Sequence, residues 1–190
     1  MKKNSIKLII VALILLIPIS TYYLIDYLHN KSMINTLEKY TILDNEKIIN
    51  EFTYDNNNYL ITMYYDDTST YSHINILLKQ KSDRLLIDTI RSCDSSESNT
   101  YVLDNKIYIH CIGKMGDIKV YTLKDYKLTH NILELDYSKT PNLSQLHILI
   151  DKVDKDNIYL YSYVNADSEI SNKIKCSLHT KKCEYIEEKE

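Results

Sequence analysis

Glycine is the scarcest informative residue in this sequence. Among 190 residues only Gly113 and Gly116 occur. Nucleotide-binding loops and oxyanion turns depend on glycine, because their backbones approach a ligand closely or take positive φ. The segment Gly113–Gly116 is too short for a phosphate loop and is typical of a turn. The scarcity of glycine therefore argues against nucleotide-dependent enzymes.

Catalytic and metal-binding signatures are missing as well. The chain has no G-x-S-x-G sequence, and its six histidines include no H-x-x-x-H pair. Asp151, Asp154 and Asp156 resemble the carboxylates of a calcium loop, but the glycine and glutamate that an EF-hand needs are absent. A turn between two strands explains these aspartates. We expect a non-enzymatic protein without catalytic, cofactor or metal residues.

An excess of basic residues, the mark of a nucleic-acid-binding protein, is also lacking. The formal net charge is −3. Beyond Ile25 the chain carries 20 Lys and Arg against 26 Asp and Glu, a net charge near −6. Nucleic-acid binding requires a basic surface that neutralises phosphates. The sequence therefore predicts no nucleic-acid partner.

Aromatic residues are almost all tyrosine: 18 Tyr stand beside one Phe and no Trp. Tyrosine favours strands and half-buried sheet surfaces, because its ring is apolar and its hydroxyl is polar. Tyr159, Tyr161 and Tyr163 alternate with apolar residues and so share one face of a strand. We take these three as a candidate protein interface, since interfaces are enriched in tyrosine. The alternative is that this face packs against a second sheet.

The N-terminus has the pattern of a membrane anchor. Lys2, Lys3 and Lys7 precede an uncharged run, Leu8–Ile25, which as a helix spans roughly 27 Å, close to the thickness of a hydrocarbon core. The basic residues predict a cytoplasmic N-terminus and an exported remainder. The prediction is a single-pass inner-membrane protein whose C-terminal domain is periplasmic. The alternative is a cleaved signal peptide and secretion to the periplasm, although Pro18 fits poorly at position −3 for cleavage after Ser20.

Four cysteines in an exported chain indicate disulfides. Cys176 and Cys183 are symmetric about His179-Thr180, so a hairpin centred there places them opposite each other. Cys93 and Cys111 then pair by elimination. Structural disulfides are favoured over a metal site, because the spacing does not match C-x₂₋₄-C.

The remaining sequence predicts an all-β fold of antiparallel meanders. Short runs alternate apolar and polar residues between Asn/Asp/Ser/Lys turns. Asn58, Asn105 and Asn157 each open a predicted strand, 47 and 52 residues apart, and two further strands follow each of them. This weak repeat of about 50 residues is typical of a β-propeller, and a sandwich of meanders explains it equally. The predicted organisation is an anchor at 1–30, a short linker helix at 31–40 and an extracytoplasmic all-β domain at 41–190.

Together these features predict a membrane-anchored, exported protein-binding domain. One specific hypothesis is an immunity-type inhibitor of a toxin in the periplasm. The alternatives are an accessory subunit of a membrane complex and, less favoured, an exported hydrolase.

Overall fold

The computed structural model describes residues 2–65, 72–91, 98–111, 118–140, 148–163 and 170–186. In the N-terminal helix, side chains are described from Leu16 onward. The chain divides into two compact units, Met1–Leu37 and Glu38–Glu190. The first unit is helical and the second consists of strands.

The first unit is one helix, α1 (Lys2–Ile34). Pro18 lies inside it, and the hydroxyls of Ser20 and Thr21 donate to the carbonyl oxygen of Ile17 at 2.9 and 2.8 Å. Large apolar side chains are exposed along its described part, with 53–69% of each accessible to solvent. These side chains belong to Leu16, Ile17, Ile19, Tyr22, Tyr23, Leu24, Ile25, Tyr27 and Leu28.

Across the described side chains, which in α1 start at Leu16, no helical stretch combines the length and the apolar character needed to cross a membrane. Residues 8–15 of the predicted 8–25 span lie outside the described side chains. The structure also differs from the predicted linker helix at 31–40. Helix α1 runs through to Ile34, and Glu38 and Lys39 form a short strand because they pair with Leu86 and Leu85.

The second unit contains three antiparallel sheets, each a meander, which confirms the prediction of an all-β fold. Sheet I has the order β1-β5-β4-β3-β2, with β1 (Glu38–Lys39), β2 (Lys47–Tyr54), β3 (Asn57–Tyr65), β4 (Ser72–Gln80) and β5 (Asp83–Arg91). Sheet II has the order β6-β7-β8-β9, with β6 (Ser98–Leu103), β7 (Lys106–Cys111), β8 (Ile118–Lys124) and β9 (Lys127–Leu133). Sheet III has the order β10-β11-β12-β13, with β10 (Ile148–Val153), β11 (Asn157–Tyr163), β12 (Ile170–Ser177) and β13 (Cys183–Tyr185).

The repeat unit is a four-stranded meander, of which the sequence pattern revealed three strands. Apart from the short edge strand β1 of sheet I, the first strands of the three meanders start at residues 47, 98 and 148, so they are 51 and 50 residues apart. The predicted strands opened by Asn58, Asn105 and Asn157 are the second strands β3, β7 and β11. In β2 a bulge between Ile48 and Asn50 shifts the register, which hides the alternation that identifies a strand.

An Asp-Asn pair precedes the second strand of each sheet. Asp55 and Asn56 have φ of 49° and 58°, and Asp104 has φ of 52°. Two-residue hairpins favour this left-handed backbone because it matches the twist of the strands, and Asp and Asn tolerate it. Asp55, Asn56 and Asp104 thus take the role that glycine has in many hairpins, whereas the pair Asp156-Asn157 at the start of β11 has no positive φ.

The three sheets stack face to face, with sheet II in the middle. Strand β7 shows this arrangement because its apolar residues alternate between two core clusters. Ile107 and Ile109 pack with Ile61, Ile74, Ile76 and Ile90 of sheet I. Tyr108, on the other face, belongs to the cluster formed with sheet III, which includes Ile158, Leu160 and Ile174. The described residues thus form three meanders packed on one another, and a closed propeller ring is not shown among them.

The outer face of sheet I is covered by the connector formed by residues 40–46. Glu46 is buried there at 8% exposure, and its carboxylate accepts four hydrogen bonds. The Tyr40 hydroxyl and the Leu43 N–H donate to Oε2 at 2.9 and 3.0 Å, while the Thr62 hydroxyl and the Asn75 amide donate to Oε1, the latter at 2.8 Å. A buried carboxylate is tolerated only when it is fully hydrogen-bonded, so this network fixes the connector to the sheet.

The same network sets the charge state of Glu46. Burial by itself raises the pKa of the carboxyl group, but the hydrogen bonds from Thr62, Leu43, Asn75 and Tyr40 outweigh it and lower the pKa below its ordinary value. The carboxyl pKa is therefore lower in the folded state than in the unfolded chain. The stabilising contribution is complete above about pH 4.5 and is lost as the pH falls through the lowered pKa.

We expect Glu46→Gln to lower the free energy of unfolding by about 2–4 kcal/mol at neutral pH, because the donors around it lose a charged acceptor. The difference between wild type and variant should shrink between pH 7 and pH 3. Urea unfolding at several pH values measures both effects. Glu51→Gln is the matched control, since Glu51 is exposed and pairs with Lys79 at 2.9 Å. Equal losses in the two variants would refute the anchoring role of Glu46.

Candidate functional site

The outer face of sheet III carries the predicted tyrosine stripe. In β11, Ile158, Leu160 and Ser162 are buried, so Tyr159 and Tyr161 point the other way and are half-buried. Neither tyrosine belongs to a core cluster, and no sheet in the described part of the chain lies over them. The alternative in which this face packs against a second sheet is therefore not seen there. Tyr163 follows in the same strand, but its side chain lies outside the described residues.

Lysines from the neighbouring strands lie over these two rings. Lys152 pairs with Tyr159 across β10 and β11, and its Nζ is 5.8 Å from the centre of that ring. Lys173 pairs with Tyr161 across β11 and β12, at 5.7 Å. An ammonium group within about 6 Å of a ring centre is attracted by the negative face of the ring. Each lysine therefore makes an attractive contact with its tyrosine ring.

We call Lys152, Tyr159, Tyr161, Lys173 and Lys175 the tyrosine–lysine face. Lys175 pairs with Tyr159 on one side and with Glu184 on the other. The face thus carries three cations, with one carboxylate directly across from Lys175, in a chain whose net charge is −3. The tyrosines of this face were predicted from the sequence, but the lysines were not. The alternation in Lys173-Ile174-Lys175-Cys176 indicates that Lys173 and Lys175 share the face opposite to the core.

Asp154 orders the turn beside this face. Its Oδ1 accepts the N–H groups of Asp156 and Asn157 at 2.9 and 2.7 Å, and the first of these is the largest cause that lowers its pKa. Desolvation, followed by a hydrogen bond to Asp154 and the charge of that carboxylate, raises the pKa of Tyr159. The interpretation of this segment as a turn is confirmed. Within the described residues, no three His, Cys, Asp or Glu side chains are placed to hold a metal ion.

Cys176 and Cys183 form a disulfide, as the hairpin spacing predicted. They are direct partners in the pairing of β12 with β13, and both are buried, at 0% and 1% exposure. The pairing of Cys93 with Cys111 stays a prediction, because Cys93 and the side chain of Cys111 lie outside the described residues.

The hairpin closed by this disulfide is joined to two other parts of the unit. The Leu178 N–H donates to the carbonyl oxygen of Asp156 at 2.8 Å, and His179 Nε2 lies 3.1 Å from the Asp156 carboxylate. On its other side, the Asp136 N–H donates to the carbonyl oxygen of Lys181 at 2.7 Å. Since Asp136 follows β9, the hairpin connects sheet III to the end of sheet II.

A cleft of about 400 Å³ lies between sheets II and III, next to this hairpin. Its lining includes Asn105 from the turn before β7, Lys106 and Tyr108 from β7, Val120 from β8, and Leu178 and His179 from the hairpin. The cleft was not predicted from the sequence, because it depends on how sheets II and III pack against each other. Comparison of the chain with protein-family models, with curated proteins and with solved structures finds no match.

We expect the double substitution Cys176→Ala and Cys183→Ala to lower the free energy of unfolding by about 2–3 kcal/mol, because a short closed loop then gains freedom in the unfolded chain. Denaturant unfolding without reductant measures the difference and leaves any Cys93–Cys111 bridge untouched. The single variant Lys182→Ala, in the same exposed turn, serves as a control and should change stability little. If the midpoint denaturant concentration of the double variant equals that of the wild type, the expectation is contradicted.

Proposed function

We propose that the second unit is a non-enzymatic protein-binding domain, and that its tyrosine–lysine face contacts an acidic surface of the partner. The observation that carries this proposal is that Tyr159 and Tyr161 lie beside lysines on a sheet face that no described strand layer covers.

The energetics of this face favour a protein contact. A tyrosine offers a large contact area and loses only two side-chain rotations on binding, and tyrosines are enriched among residues that dominate binding energy. Lys152 and Lys173 already contact the rings, and both tyrosines are half-buried, which restricts their side chains before a partner binds.

Charge supports an acidic partner. The three lysines Lys152, Lys173 and Lys175 outnumber the two carboxylates near the face, Glu184 and Asp154, so an acidic protein surface is complementary to it. A single-stranded nucleic acid also combines negative charge with stacking, but its bases need open aromatic faces. Lys152 and Lys173 already lie over the faces of the two tyrosine rings, where a base would stack. A protein is the better occupant.

For location, we propose that α1 anchors the chain in the inner membrane and that the second unit is periplasmic. Support comes from the uncharged run Leu8–Ile25, the lysines before it and the exposed apolar side chains of α1 from Leu16 onward. The Cys176–Cys183 disulfide is consistent with an oxidising compartment. Secretion after cleavage of this segment is the alternative arrangement.

Within this class, the specific proposal is an immunity-type inhibitor that covers a toxin in the periplasm. This fits a small binding domain held at the membrane where the toxin arrives. The second candidate is an accessory subunit of a membrane complex. It is favoured by the exposed apolar side chains of α1, which in that case contact other membrane helices.

The binding face is tested by placing a photo-crosslinking amino acid at position 161 in the full chain and, as a control, at Thr129, which is exposed in β9 of sheet II. We expect a discrete adduct with an acidic protein from position 161 only. Adducts with nucleic acid, or the same adducts from both positions, would overturn the proposal.

For the partner recovered in this way, Tyr159→Ala combined with Tyr161→Ala should raise the dissociation constant at least tenfold, about 1.4 kcal/mol, because the two rings lose their contact area. Lys152→Glu combined with Lys173→Glu should weaken binding further at low salt. Calorimetry measures both. Tyr54→Ala, a half-buried tyrosine of sheet I, is the matched control and should leave affinity unchanged.

The anchor is tested by Leu16→Lys combined with Ile19→Lys. Each lysine near the middle of a spanning helix costs about 2.5–3.5 kcal/mol, so the variant should lose its resistance to alkaline extraction from membranes. Tyr27→Lys combined with Asn30→Lys, beyond the uncharged run, should remain membrane-bound. Release of the wild-type chain by alkali would argue against anchoring, and a mass that lacks the first 20 or so residues would indicate cleavage.

A further inference from the structure

The cleft between sheets II and III has the size of a small-molecule site, with both polar and apolar surface exposed in it. Its volume of about 400 Å³ falls within the range of ligand pockets. It lies on the side of sheet III that faces sheet II, opposite to the tyrosine–lysine face. Its occupant is therefore separate from the protein partner proposed for that face.

The floor of the cleft is apolar. Tyr108, Val120 and Leu133 line it and are only 3%, 6% and 5% exposed, because they belong to the core cluster between the two sheets. The half-buried side chains of Leu103 and Leu178 add apolar surface from the turn before β7 and from the disulfide hairpin. A flat apolar group that entered the cleft would lose contact with water on both sides.

The rim of the cleft is basic. Lys106, Lys155 and Lys181 line it from three different segments, and Asp104 is the one carboxylate among its lining residues. Lys181 Nζ donates one hydrogen bond to the carbonyl oxygen of Leu178 at 2.6 Å, which holds the ammonium group near the rim and leaves two donors. This local excess of positive charge stands in a chain whose net charge is −3.

Two further contacts fix the walls. The Asn105 amide donates to the carbonyl oxygen of Leu123 at 2.8 Å, which orients its side chain at the cleft. On the other wall His179 Nε2 lies 3.1 Å from the Asp156 carboxylate, which orients the His179 ring. The walls are thus preformed, which lowers the entropic cost of binding.

From this combination we infer that the cleft binds a small anion with an apolar body, such as an aryl phosphate or an aryl carboxylate. The apolar body rests on Tyr108, Val120 and Leu133, and the anionic group meets Lys106, Lys155 and Lys181 at the rim. Phosphate and carboxylate share the chemistry that these lysines recognise.

The test uses the full chain and fluorine NMR of three probes: 4-fluorophenyl phosphate, 4-fluorobenzoate and the neutral 4-fluorobenzyl alcohol. We expect saturable binding of the two anions, with at least fivefold weaker binding of the alcohol. Which anion binds more tightly distinguishes a phosphate ligand from a carboxylate ligand. Equal affinity for the alcohol, or no saturable binding of either anion, would overturn the inference.

Substitutions locate the binding. Lys106→Gln combined with Lys155→Gln should raise the dissociation constants of the anions at least fivefold and leave that of the alcohol unchanged. Lys124→Gln combined with Lys127→Gln removes the same charge from an exposed turn outside the cleft and should have no effect. An equal loss in both pairs would mean that only the overall charge matters and would refute the site. Displacement of the aryl phosphate by inorganic phosphate at equal concentration would refute the role of the apolar floor.

Discussion

The structure of the second unit depends on sheet II, which carries buried side chains on both of its faces. Strand β7 turns Ile107 and Ile109 to one side and Tyr108 to the other, and all three are at most 3% exposed. Such a strand is unstable with one face in water, because each buried aliphatic side chain contributes about 1.5–3 kcal/mol. Sheets I and III are therefore both required to cover sheet II, and the cleft exists because this covering is incomplete at one end.

The two faces of sheet III differ in composition because strands alternate their side chains. In β11, Ile158 and Leu160 are buried in the core, while Tyr159 and Tyr161 are half-buried on the opposite face. The disulfide between Cys176 and Cys183 stabilises the short edge strand β13, which at three residues has few hydrogen bonds of its own. It thereby keeps both the wall of the cleft and Glu184, beside the tyrosine–lysine face, in place.

Much of this fold was predictable from residue alternation, since apolar and polar residues alternate in β4, β7, β8, β10, β11 and β12. The Cys176–Cys183 bridge was predictable for the same reason, because spacing along a hairpin determines which residues face each other. Strand β2 was not predictable from alternation, because its bulge between Ile48 and Asn50 interrupts the pattern. The stacking of sheets and the roles of Glu46, Lys152 and Lys173 depend on contacts between distant segments, which no local pattern encodes. The helix α1 was predicted, but its C-terminal end was not, because pairing with β5 decides the conformation of Glu38 and Lys39.

The covering of sheet I by residues 40–46 makes the two ends of the stack unequal. On the outer face of sheet I, Thr62 and Asn75 are hydrogen-bonded to Glu46, and Asn75 also to Tyr40. Their polar groups are therefore already engaged within the unit. At the sheet III end the outermost layer still presents side chains to the surroundings. The two outer faces are therefore chemically unequal: the polar groups of sheet I are engaged in internal hydrogen bonds, whereas sheet III presents Tyr159, Tyr161 and the lysines beside them.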